Sequence, residues 1–412
     1  MIGIYVHIPF CKQFCYYCDF YKSANYKYLP DFVKAIEKEI TEYDIERYLG
    51  DWASHPFAKK EVRSVYFGGG SPSSIPLRDI ERIIHRLRER FPEFENYLEM
   101  TIELNPDDTS TDYYRNLRSL GFNRLSIGVQ SFNNRILKIL HRKHDAATAL
   151  QSIEDARKAG FENISIDLIY GIPGQSVQDF ETDLDIFLDL RLEHLSAYHL
   201  SIEEYTEFWR RLKRNKLREV PEEMSNEFYN LLIKRMRKYK YDHYEISNFA
   251  LTGYRSRHNS AYWMTYPYIG FGPSAHSYNG YYGRTQNVRS VQDYINFVLN
   301  DMPHFEYEYV NLYNRYNEFI INGLRTKEGV NIERFIKEDA LEAEPFITNY
   351  EIHHLYKHYK RALEQLKKDS FKAFRSFEPA LRLKEKYYLT ADYYIEKLII
   401  DPDELQVSDD DL

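Results

Sequence analysis

Cysteine is scarce in this chain of 412 residues, which contains only three, all within the first 18 positions. They are Cys11, Cys15 and Cys18, and residues 19–412 contain no further thiol. An odd number of closely spaced cysteines fits a disulfide framework poorly. The scarcity therefore argues against a disulfide-stapled domain and directs attention to metal binding by the three thiols.

The sequence also lacks long apolar runs and an excess of positive charge. No run of 18 or more apolar residues is present, so we expect no membrane-spanning helix. The start MIGIYVHIPF is too short for a signal peptide and lacks its basic residues, so we expect a cytoplasmic protein with reduced thiols. The net charge of −8 and a short acidic tail at 408–412 argue against binding of nucleic acid, and so against a DNA-binding regulator.

The spacing of the cysteines, C-x3-C-x2-C, favours an iron–sulfur cluster. Three thiolates on one short loop can hold three corners of an iron–sulfur cube and leave the fourth iron open to a substrate or cofactor. A structural zinc site needs four protein ligands, and its fourth ligand here would have to be His7, Asp19 or a distant residue. Buried or incidental thiols are the remaining alternative.

Short β-rich segments alternate with helix-like segments over the first half of the chain. This alternation is typical of an α/β fold with a parallel sheet and crossover helices. Six units suit an incomplete parallel (β/α)6 barrel better than a closed eight-fold barrel, and a doubly wound open sheet is the alternative. The predicted strands are Ile4–Ile8, Ser64–Phe67, Met100–Leu104, Arg124–Val129, Ile164–Ile169 and His194–Leu200, and the predicted helices are Leu29–Tyr43, Leu77–Arg90, Ser110–Leu120, Ala146–Ala159 and Val177–Leu188.

Polar or small residues follow the predicted strands. In parallel α/β folds the carboxyl ends of the strands form the face that carries the functional site. Polar groups that recur at the carboxyl ends of successive strands are hard to explain by packing alone. We therefore expect a binding site at this edge of the sheet. The segments concerned are the cysteine loop, Gly68–Ser73, Glu103 with Asn105, Gln130, and Asp167–Gly174.

Three regions follow from this pattern. Residues 1–205 form the partial barrel, and residues 206–305 form an extension of loops and short strands that carries H-N-S-A-Y at 258–262 and G-F-G-P-S-A-H at 270–276. Residues 306–412 form a C-terminal, mainly helical domain, for which a winged-helix-like arrangement is one option. Its predicted elements are helices Arg315–Leu324, Ile352–Lys368 and Ala391–Ile400, and a short strand Leu381–Leu383.

Five motifs carry a resemblance to a known family. They are Y-x-H-I-P-F-C-x3-C-x-Y-C-D-F, G-G-G-S-P-S, S-I-G-V-Q-S-F, D-L-I-Y-G-I-P-G-Q and R-H-N-S-A-Y-W, and the match extends to E-F-I-I-N-G-L-R-T-K-E-G-V at 318–330. Together they resemble the HemW family, in the oxygen-independent coproporphyrinogen oxidase-like branch of the radical S-adenosylmethionine (SAM) superfamily. The cysteine spacing marks only the superfamily, whereas the combination of motifs is much more specific.

The resemblance implies a barrel of radical SAM type that holds a 4Fe-4S cluster on Cys11, Cys15 and Cys18, with SAM on the fourth iron. Arg142 is suited to pairing with a carboxylate of SAM. The carboxylates of Glu103 and Asp167 are suited to ribose hydroxyls or an amino group. The structural alternatives are a tight turn for the glycines, solvated helix surface for Arg142 and a loop cap for Asp167. The residues implied for the SAM pocket are Tyr5, Gly69, Gly70, Ser71, Glu103, Gln130, Arg142 and Asp167.

Two functions share this scaffold, and the resemblance favours a heme chaperone that delivers heme to acceptor proteins. The alternative is an oxygen-independent coproporphyrinogen III oxidase, which decarboxylates coproporphyrinogen III to protoporphyrinogen IX. The oxidase branch has a further cysteine where Phe20 stands and a long extension before its cysteine loop, which here begins at residue 11. The chaperone family has a heme-associated H-N-x-x-Y motif, present here at 258–262.

His258 and Tyr262 are accordingly predicted heme contacts, since neutral imidazole is a standard axial ligand and tyrosinate a less common one. A hydrogen-bonded structural His-Asn pair is the alternative for His258. His276 is a second candidate, with a satisfied loop histidine as its alternative. The resemblance further implies an acceptor such as a membrane respiratory enzyme, peripheral membrane contact and a homodimer, and we assign no catalytic residue.

The chain departs from the family pattern in two places. Ser71 stands where threonine is usual, and both residues supply a hydroxyl. Glu204 and Tyr205 stand where a Pro-Gly turn is common after Ser201. This puts the shape of that loop in doubt, so we assign no pocket residue there.

Overall fold

Six parallel strands in sequence order form the centre of the fold. The computed structural model describes residues 2–44, 61–91, 94–280, 282–337 and 349–401. The six predicted strands are confirmed, although the third begins at residue 94 and the sixth ends at residue 199. The strands are β1 Ile2–Ile8, β2 Val62–Gly69, β3 Phe94–Leu104, β4 Arg124–Gln130, β5 Ile164–Tyr170 and β6 His194–His199.

Helices connect these strands. Because the strands follow one another without a reversal of order, right-handed crossovers place the connecting helices on one face of the sheet. A doubly wound sheet requires a reversal, so that alternative is wrong. The predicted helices are confirmed within one residue or two at each end, and a further short one precedes Ala146. They are α1 Leu29–Glu42, α2 Leu77–Arg90, α3 Thr111–Ser119, α4 Asn134–Ile139, α5 Ala146–Lys158 and α6 Val177–Asp189.

The two faces of the six strands differ in chemistry. Every second side chain along these strands points toward the helices. These side chains are apolar and fully buried, as Ile4, Val6 and Ile127 show, and they form the main core. The opposite face carries polar side chains. Tyr66 on β2 and Tyr198 on β6 would lie about 19 Å apart in a flat sheet. Yet Tyr198 adds to the effect of burial in raising the pKa of Tyr66. The polar face is therefore the concave side of a curled sheet.

Short strands from the second half of the chain extend the sheet at both ends. β9 Tyr268–Phe271 pairs parallel with β1, and β8 Asn248–Ala250 pairs antiparallel with β6. The predicted boundary between residues 305 and 306 falls inside a strand of the same sheet, and the division into domains stays a prediction. The other elements are α7 Glu207–Lys213, α8 Glu222–Lys238, β7 Asp242–Glu245, α9 Arg257–Trp263, β10 His276–Tyr278, β11 Gly283–Asn287, α10 Val291–Leu299 and β12 Phe305–Tyr309, and the sheet order is β12-β11-β10-β9-β1-β2-β3-β4-β5-β6-β8-β7.

The C-terminal region is mainly helical, as predicted. The last predicted helix ends at Ile395 rather than Ile400, and the acidic tail at 408–412 lies outside the described residues. None of the helices in the described ranges has the length and apolar character required to cross a lipid bilayer. The elements are α11 Leu312–Leu324, α12 Ile332–Arg334, α13 Asn349–Asp369, α14 Ala391–Ile395 and the antiparallel pair β13 Phe374–Ser376 and β14 Arg382–Leu383.

Candidate functional site

The three cysteines lie on the loop that leaves β1. All three are free thiols, with Cys11 buried and Cys15 and Cys18 partly exposed. Burial, together with the neighbouring Cys18 and Cys15, raises the pKa of Cys11 to about 12. Burial also raises the pKa of Cys18. Thiols in such surroundings ionise only with additional positive charge nearby, which a bound metal centre supplies.

The arrangement of the thiols fits a cluster better than a zinc ion. Within the described part of the chain, no three side chains of His, Cys, Asp or Glu are grouped so that they could hold a metal ion. Structural zinc requires four ligands around one ion, whereas the thiolates of an iron–sulfur cube bind separate irons. Of the two named candidates for a fourth zinc ligand, His7 bonds through Nδ1 to the Tyr5 hydroxyl at 3.1 Å and keeps a buried Nε2 without a partner among the described residues, and Asp19 is exposed.

The cysteine loop is clamped from outside by residues distant in the sequence. Tyr16 stacks on His141 with ring centroids 4.2 Å apart, and the guanidinium of Arg211 lies 4.2 Å from the same Tyr16 ring. Gln13 donates a hydrogen bond to the carbonyl of His141 at 2.7 Å, and the N–H of Phe208 donates to the carbonyl of Tyr16 at 3.0 Å. The segment after α4 and helix α7 thus hold the loop in place without using any cysteine.

Arg142 links the cysteine loop to the ends of β3 and β4. Its guanidinium donates to the Cys15 sulfur at 3.4 Å, to the Asn105 side-chain oxygen at 2.7 Å and to the carbonyl of Gly128 at 2.8 Å. Its Nε is buried and has no hydrogen-bond partner among the described residues. Leaving a buried donor unpaired is costly, so the geometry suits an anionic ligand group such as a carboxylate. The alternative of plain solvated helix surface does not hold.

The glycine segment after β2 packs directly against the start of the cysteine loop. The N–H of Gly70 donates to the carbonyl of Ile8 at 2.8 Å, and the N–H of Ser71 donates to the carbonyl of Phe10 at 2.8 Å. A Cβ on Gly70 would lie 2.8 Å from that Phe10 oxygen, so only glycine allows this approach. The Ser71 hydroxyl accepts a hydrogen bond from the Asn105 amide at 2.9 Å.

Alanine at Gly70 should therefore push the glycine segment away from the cysteine loop. We expect Gly70→Ala to lower the free energy of unfolding by about 1–3 kcal/mol, because the new methyl meets rigid backbone. We also expect a lower iron content after anaerobic reconstitution. Gly253→Ala is the control for backbone strain without a steric clash, since Gly253 has a φ of +90° that disfavours alanine but a Cβ there meets nothing within 4 Å. An iron content in Gly70→Ala equal to that of this control would show that the close approach does not matter for the loop.

Glu103 ties the ends of β2 and β3 together. One carboxylate oxygen accepts a hydrogen bond from the Tyr66 hydroxyl at 2.8 Å, and the other accepts one from the N–H of Gly69 at 3.2 Å. Gly69 has a φ of +108°, and a Cβ there would lie 2.7 Å from the His7 ring. Burial raises the pKa of Glu103 to about 7, although the bond from Tyr66 opposes this.

Asp167 is a second carboxylate on the concave face. It accepts a hydrogen bond from Ser126 at 3.3 Å, and burial raises its pKa to about 6. Asp167 also contributes to the raised pKa of Glu103, which places the two carboxyl groups within electrostatic reach of each other. A positively charged ligand group between them would favour their ionised forms and would be stabilised in return.

The structure brings most of the predicted pocket residues into one network at the carboxyl ends of the strands. Contacts connect Tyr5, Gly69, Gly70, Ser71, Glu103 and Arg142 through their shared neighbours. Gln130 has a φ of 69° at the end of β4, and its side-chain nitrogen lies near Gly128, which Arg142 also contacts. The reasoning from sequence missed Tyr66, and it placed Asn105 at this edge without including it in the SAM pocket. The alternation of Ser64, Tyr66 and Gly68 with apolar residues could have indicated Tyr66.

His258 and Tyr262 lie at the other end of the strands. The His258 ring is buried, and its Nδ1 bonds to the Ser64 hydroxyl at 2.9 Å while its Nε2 bonds to the Tyr262 hydroxyl at 3.0 Å. Burial, and then the positive charge of Arg124, lower the pKa of His258 to about 3, so the ring is neutral. Since Ser64 is near the start of β2, the motif lies away from the cysteine loop, although the His258 ring stacks on Tyr5 of the predicted pocket with ring centroids 6.5 Å apart. His276 is exposed on β10.

Comparisons with known proteins agree with this architecture. A family model for the radical SAM superfamily matches residues 5–187. The chain is 35% identical over 334 residues to the heme chaperone HemW of Lactococcus lactis, covering 80% of this chain and 83% of that protein. It is 33% identical over 340 residues to the heme chaperone HemW of Bacillus subtilis, covering 82% of this chain and 87% of that protein.

A solved structure resembles the whole described fold. Coproporphyrinogen III oxidase HemN from Escherichia coli, a radical SAM enzyme, covers 96% of this chain and 89% of its own, with a TM-score of 0.77 and 23% sequence identity. This similarity establishes the fold of the chain.

Proposed function

We propose that this chain, which belongs to the HemW family of the radical SAM superfamily, binds heme and delivers it to an acceptor protein. The observation that carries the proposal is the similarity over about four fifths of the chain to proteins named heme chaperones. The sequence after the third cysteine agrees with it, because Asp19 and Phe20 leave no further thiol there.

We propose Cys11, Cys15 and Cys18 as ligands of a 4Fe-4S cluster. Three thiols on one clamped loop, with no other cysteine in the chain, support a cluster with one open iron. Lys22, whose ammonium donates to the carbonyl of Cys18 at 2.6 Å, and Arg142 supply positive charge beside the thiolates. With SAM present, such a cluster supplies one-electron chemistry, and the protein's part is to hold and orient both groups.

We propose that SAM lies between the cysteine loop and the concave face. The unpaired Nε of Arg142 supports a carboxylate contact. Glu103 and Asp167 are placed for a positively charged group or for hydroxyls. The glycine segment packs against the start of the cysteine loop, so a ligand bound at the loop would lie beside its backbone. The full set comprises Tyr5, Gly69, Gly70, Ser71, Glu103, Gln130, Arg142 and Asp167.

His258 and Tyr262 stay proposed heme contacts, on the support of the motif that they share with the family. Burial keeps the imidazole neutral, which is the form that ligates iron. Both ring nitrogens already have partners within the protein. Iron ligation at His258 therefore requires that Tyr262 release Nε2 or that Ser64 release Nδ1.

An anaerobic heme titration of the cluster-reconstituted protein, followed by the Soret band, tests the proposed function. We expect saturable, stoichiometric binding to the wild type, and affinity lower by about tenfold or more in His258→Ala. His243→Ala is the matched control, because His243 is also buried and stacks on Phe249 with ring centroids 4.1 Å apart.

Equal heme affinity in wild type and His258→Ala would remove His258 from the site but leave the chaperone proposal standing. Absence of any specific heme binding to the wild type would contradict the chaperone proposal. Turnover of coproporphyrinogen III, measured by mass spectrometry, would then decide for the oxidase alternative.

The family also supports proposals about surroundings and partners. We propose a heme-accepting protein such as a respiratory enzyme, peripheral membrane contact and a homodimer. Three free thiols support a reducing, cytoplasmic location. Binding of heme-loaded protein to membrane vesicles, and its mass by light scattering with and without cluster, would test the contact and the dimer separately.

A further inference from the structure

The His258 ring belongs to a stack of three aromatic rings on the concave face of the sheet. It lies 5.1 Å from the Tyr66 ring at an interplanar angle of 22°, and 6.5 Å from the Tyr5 ring at 29°. Tyr5 and Tyr66 are themselves 6.2 Å apart at 29°. Each ring therefore neighbours the other two, with its plane within 29° of theirs, and a change in the position of one must be accommodated by the others.

The stack is anchored at the side away from the cysteines. The N–H groups of Arg257 and His258, in the first turn of α9, donate to the Glu99 carboxylate at 2.9 and 3.1 Å. The hydroxyls of Ser64 and Tyr262 hold the two ring nitrogens at 2.9 and 3.0 Å. Two backbone and two side-chain bonds thus leave the imidazole one orientation.

On the other side the stack reaches the proposed SAM pocket. The hydroxyl of Tyr66 donates to Glu103 at 2.8 Å, and the second oxygen of Glu103 accepts from the N–H of Gly69 at 3.2 Å. The hydroxyl of Tyr5 bonds to His7 at 3.1 Å, and the His7 ring borders Gly69. The contacts of both tyrosines therefore lead to the glycine segment. This segment lies about 16 Å along β2 from Ser64.

We propose that His258 is a positioning residue for the SAM pocket, acting through the stacked rings of Tyr66 and Tyr5 on Glu103 and Gly69. This inference rests on the SAM pocket proposed above and is independent of heme binding. It gives the H-N-x-x-Y motif a role that its burial and its distance from the cysteine loop can support. The imidazole supplies a flat ring in a fixed orientation. This ring positions Tyr66, and the Tyr66 hydroxyl in turn positions the Glu103 carboxylate in the pocket.

Equilibrium dialysis of SAM against anaerobically reconstituted protein tests this inference. We expect His258→Ala to bind SAM about five- to tenfold more weakly than the wild type, with unchanged iron content. His258→Phe keeps a flat ring and the two backbone bonds to Glu99 but cannot ligate iron, so we expect it to restore most of the SAM affinity. His243→Ala, whose ring stacks on Phe249 and touches neither tyrosine of the stack, should bind SAM like the wild type.

A second set of variants tests the route. Tyr66→Phe keeps the stacked ring and removes the bond to Glu103, so it should weaken SAM binding to a similar degree. If His258 acts through Tyr66, the double variant His258→Ala/Tyr66→Phe should lose no more affinity than the weaker-binding single variant. The change that SAM causes in the electron paramagnetic resonance spectrum of the reduced cluster gives an independent readout of how SAM is seated.

Three results would overturn the inference. Unchanged SAM affinity in His258→Ala would show that the stack does not support the pocket. Equally weak binding in His258→Phe and His258→Ala would show that the ring itself is not what matters. If His258→Ala does not fold, wild-type SAM affinity in Tyr66→Phe alone would sink the proposed route. Failure of wild-type protein to bind SAM at all would instead contradict the pocket proposed above.

Discussion

Serine in place of Cys15 should leave the reconstituted protein with less than about one tenth of the wild-type iron and sulfide. Cys15 is the middle of three thiols on one loop, and the chain has no fourth cysteine that could replace it. A hydroxyl is a poor ligand for the soft iron of a cluster. Iron and acid-labile sulfide, measured after anaerobic reconstitution and gel filtration, give the result directly.

Because the chain has only three cysteines, reactive thiols can be counted without a background from other residues. Cluster-free wild-type protein has three thiols that can react with a disulfide reagent after unfolding, and no others contribute to the signal. Folded protein with the cluster bound should show none that react. Asp19→Ala is the control, because Asp19 was a candidate for the fourth ligand of a zinc site. Loss of metal in Asp19→Ala, with zinc and no sulfide in the wild type, would replace the cluster proposal by a zinc site.

The parts of the site that could be predicted from sequence are those for which chemistry permits few residue types. Cysteine at fixed spacing has few uses in a chain with no other thiol. Gly70 is needed where two backbones meet, and the structure shows the carbonyl that a side chain would strike. Tyr66 was missed because tyrosine on a strand is ordinary, and only the curl of the sheet and the pairing with Glu103 give it a role.

The fold, like the site, could be predicted from the sequence only in part. The six central strands are long, with helix-like segments between them, so alternation identified them. The strands that extend the sheet are three to five residues long, and nothing local states that β9 pairs with β1. The position of His258 depends on the pairing of β9 with β1, because helix α9, which carries His258, lies just before β9. A contact 194 residues apart, between Ser64 and His258, has no local signal in one sequence.

Replacing Arg142 should separate the two roles that its contacts give it. Arg142→Lys keeps the positive charge beside Cys15 but loses the planar fork, so we expect nearly full iron content and SAM affinity lower by about tenfold or more. Arg142→Met removes the charge as well. It leaves the oxygens of Asn105 and Gly128 without their donor, which should cost about 1–3 kcal/mol of stability for each group that stays buried. Dialysis of SAM, iron content and urea unfolding measure the three effects.

Arg115→Met is the control for the Arg142 variants, because Arg115 is exposed on α3 and binds Asp112 at 2.8 Å. It should change neither iron content nor SAM affinity. Wild-type SAM affinity in Arg142→Lys would mean that charge alone suffices, and the unpaired Nε would then have no ligand to explain it. Loss of iron in Arg142→Lys would instead mean that the fork chiefly serves the cysteine loop. The three acceptors of Arg142 come from the loop, β4 and the segment after β3, so iron content reports on the contact with the loop and SAM affinity on the part of the fork that faces the pocket.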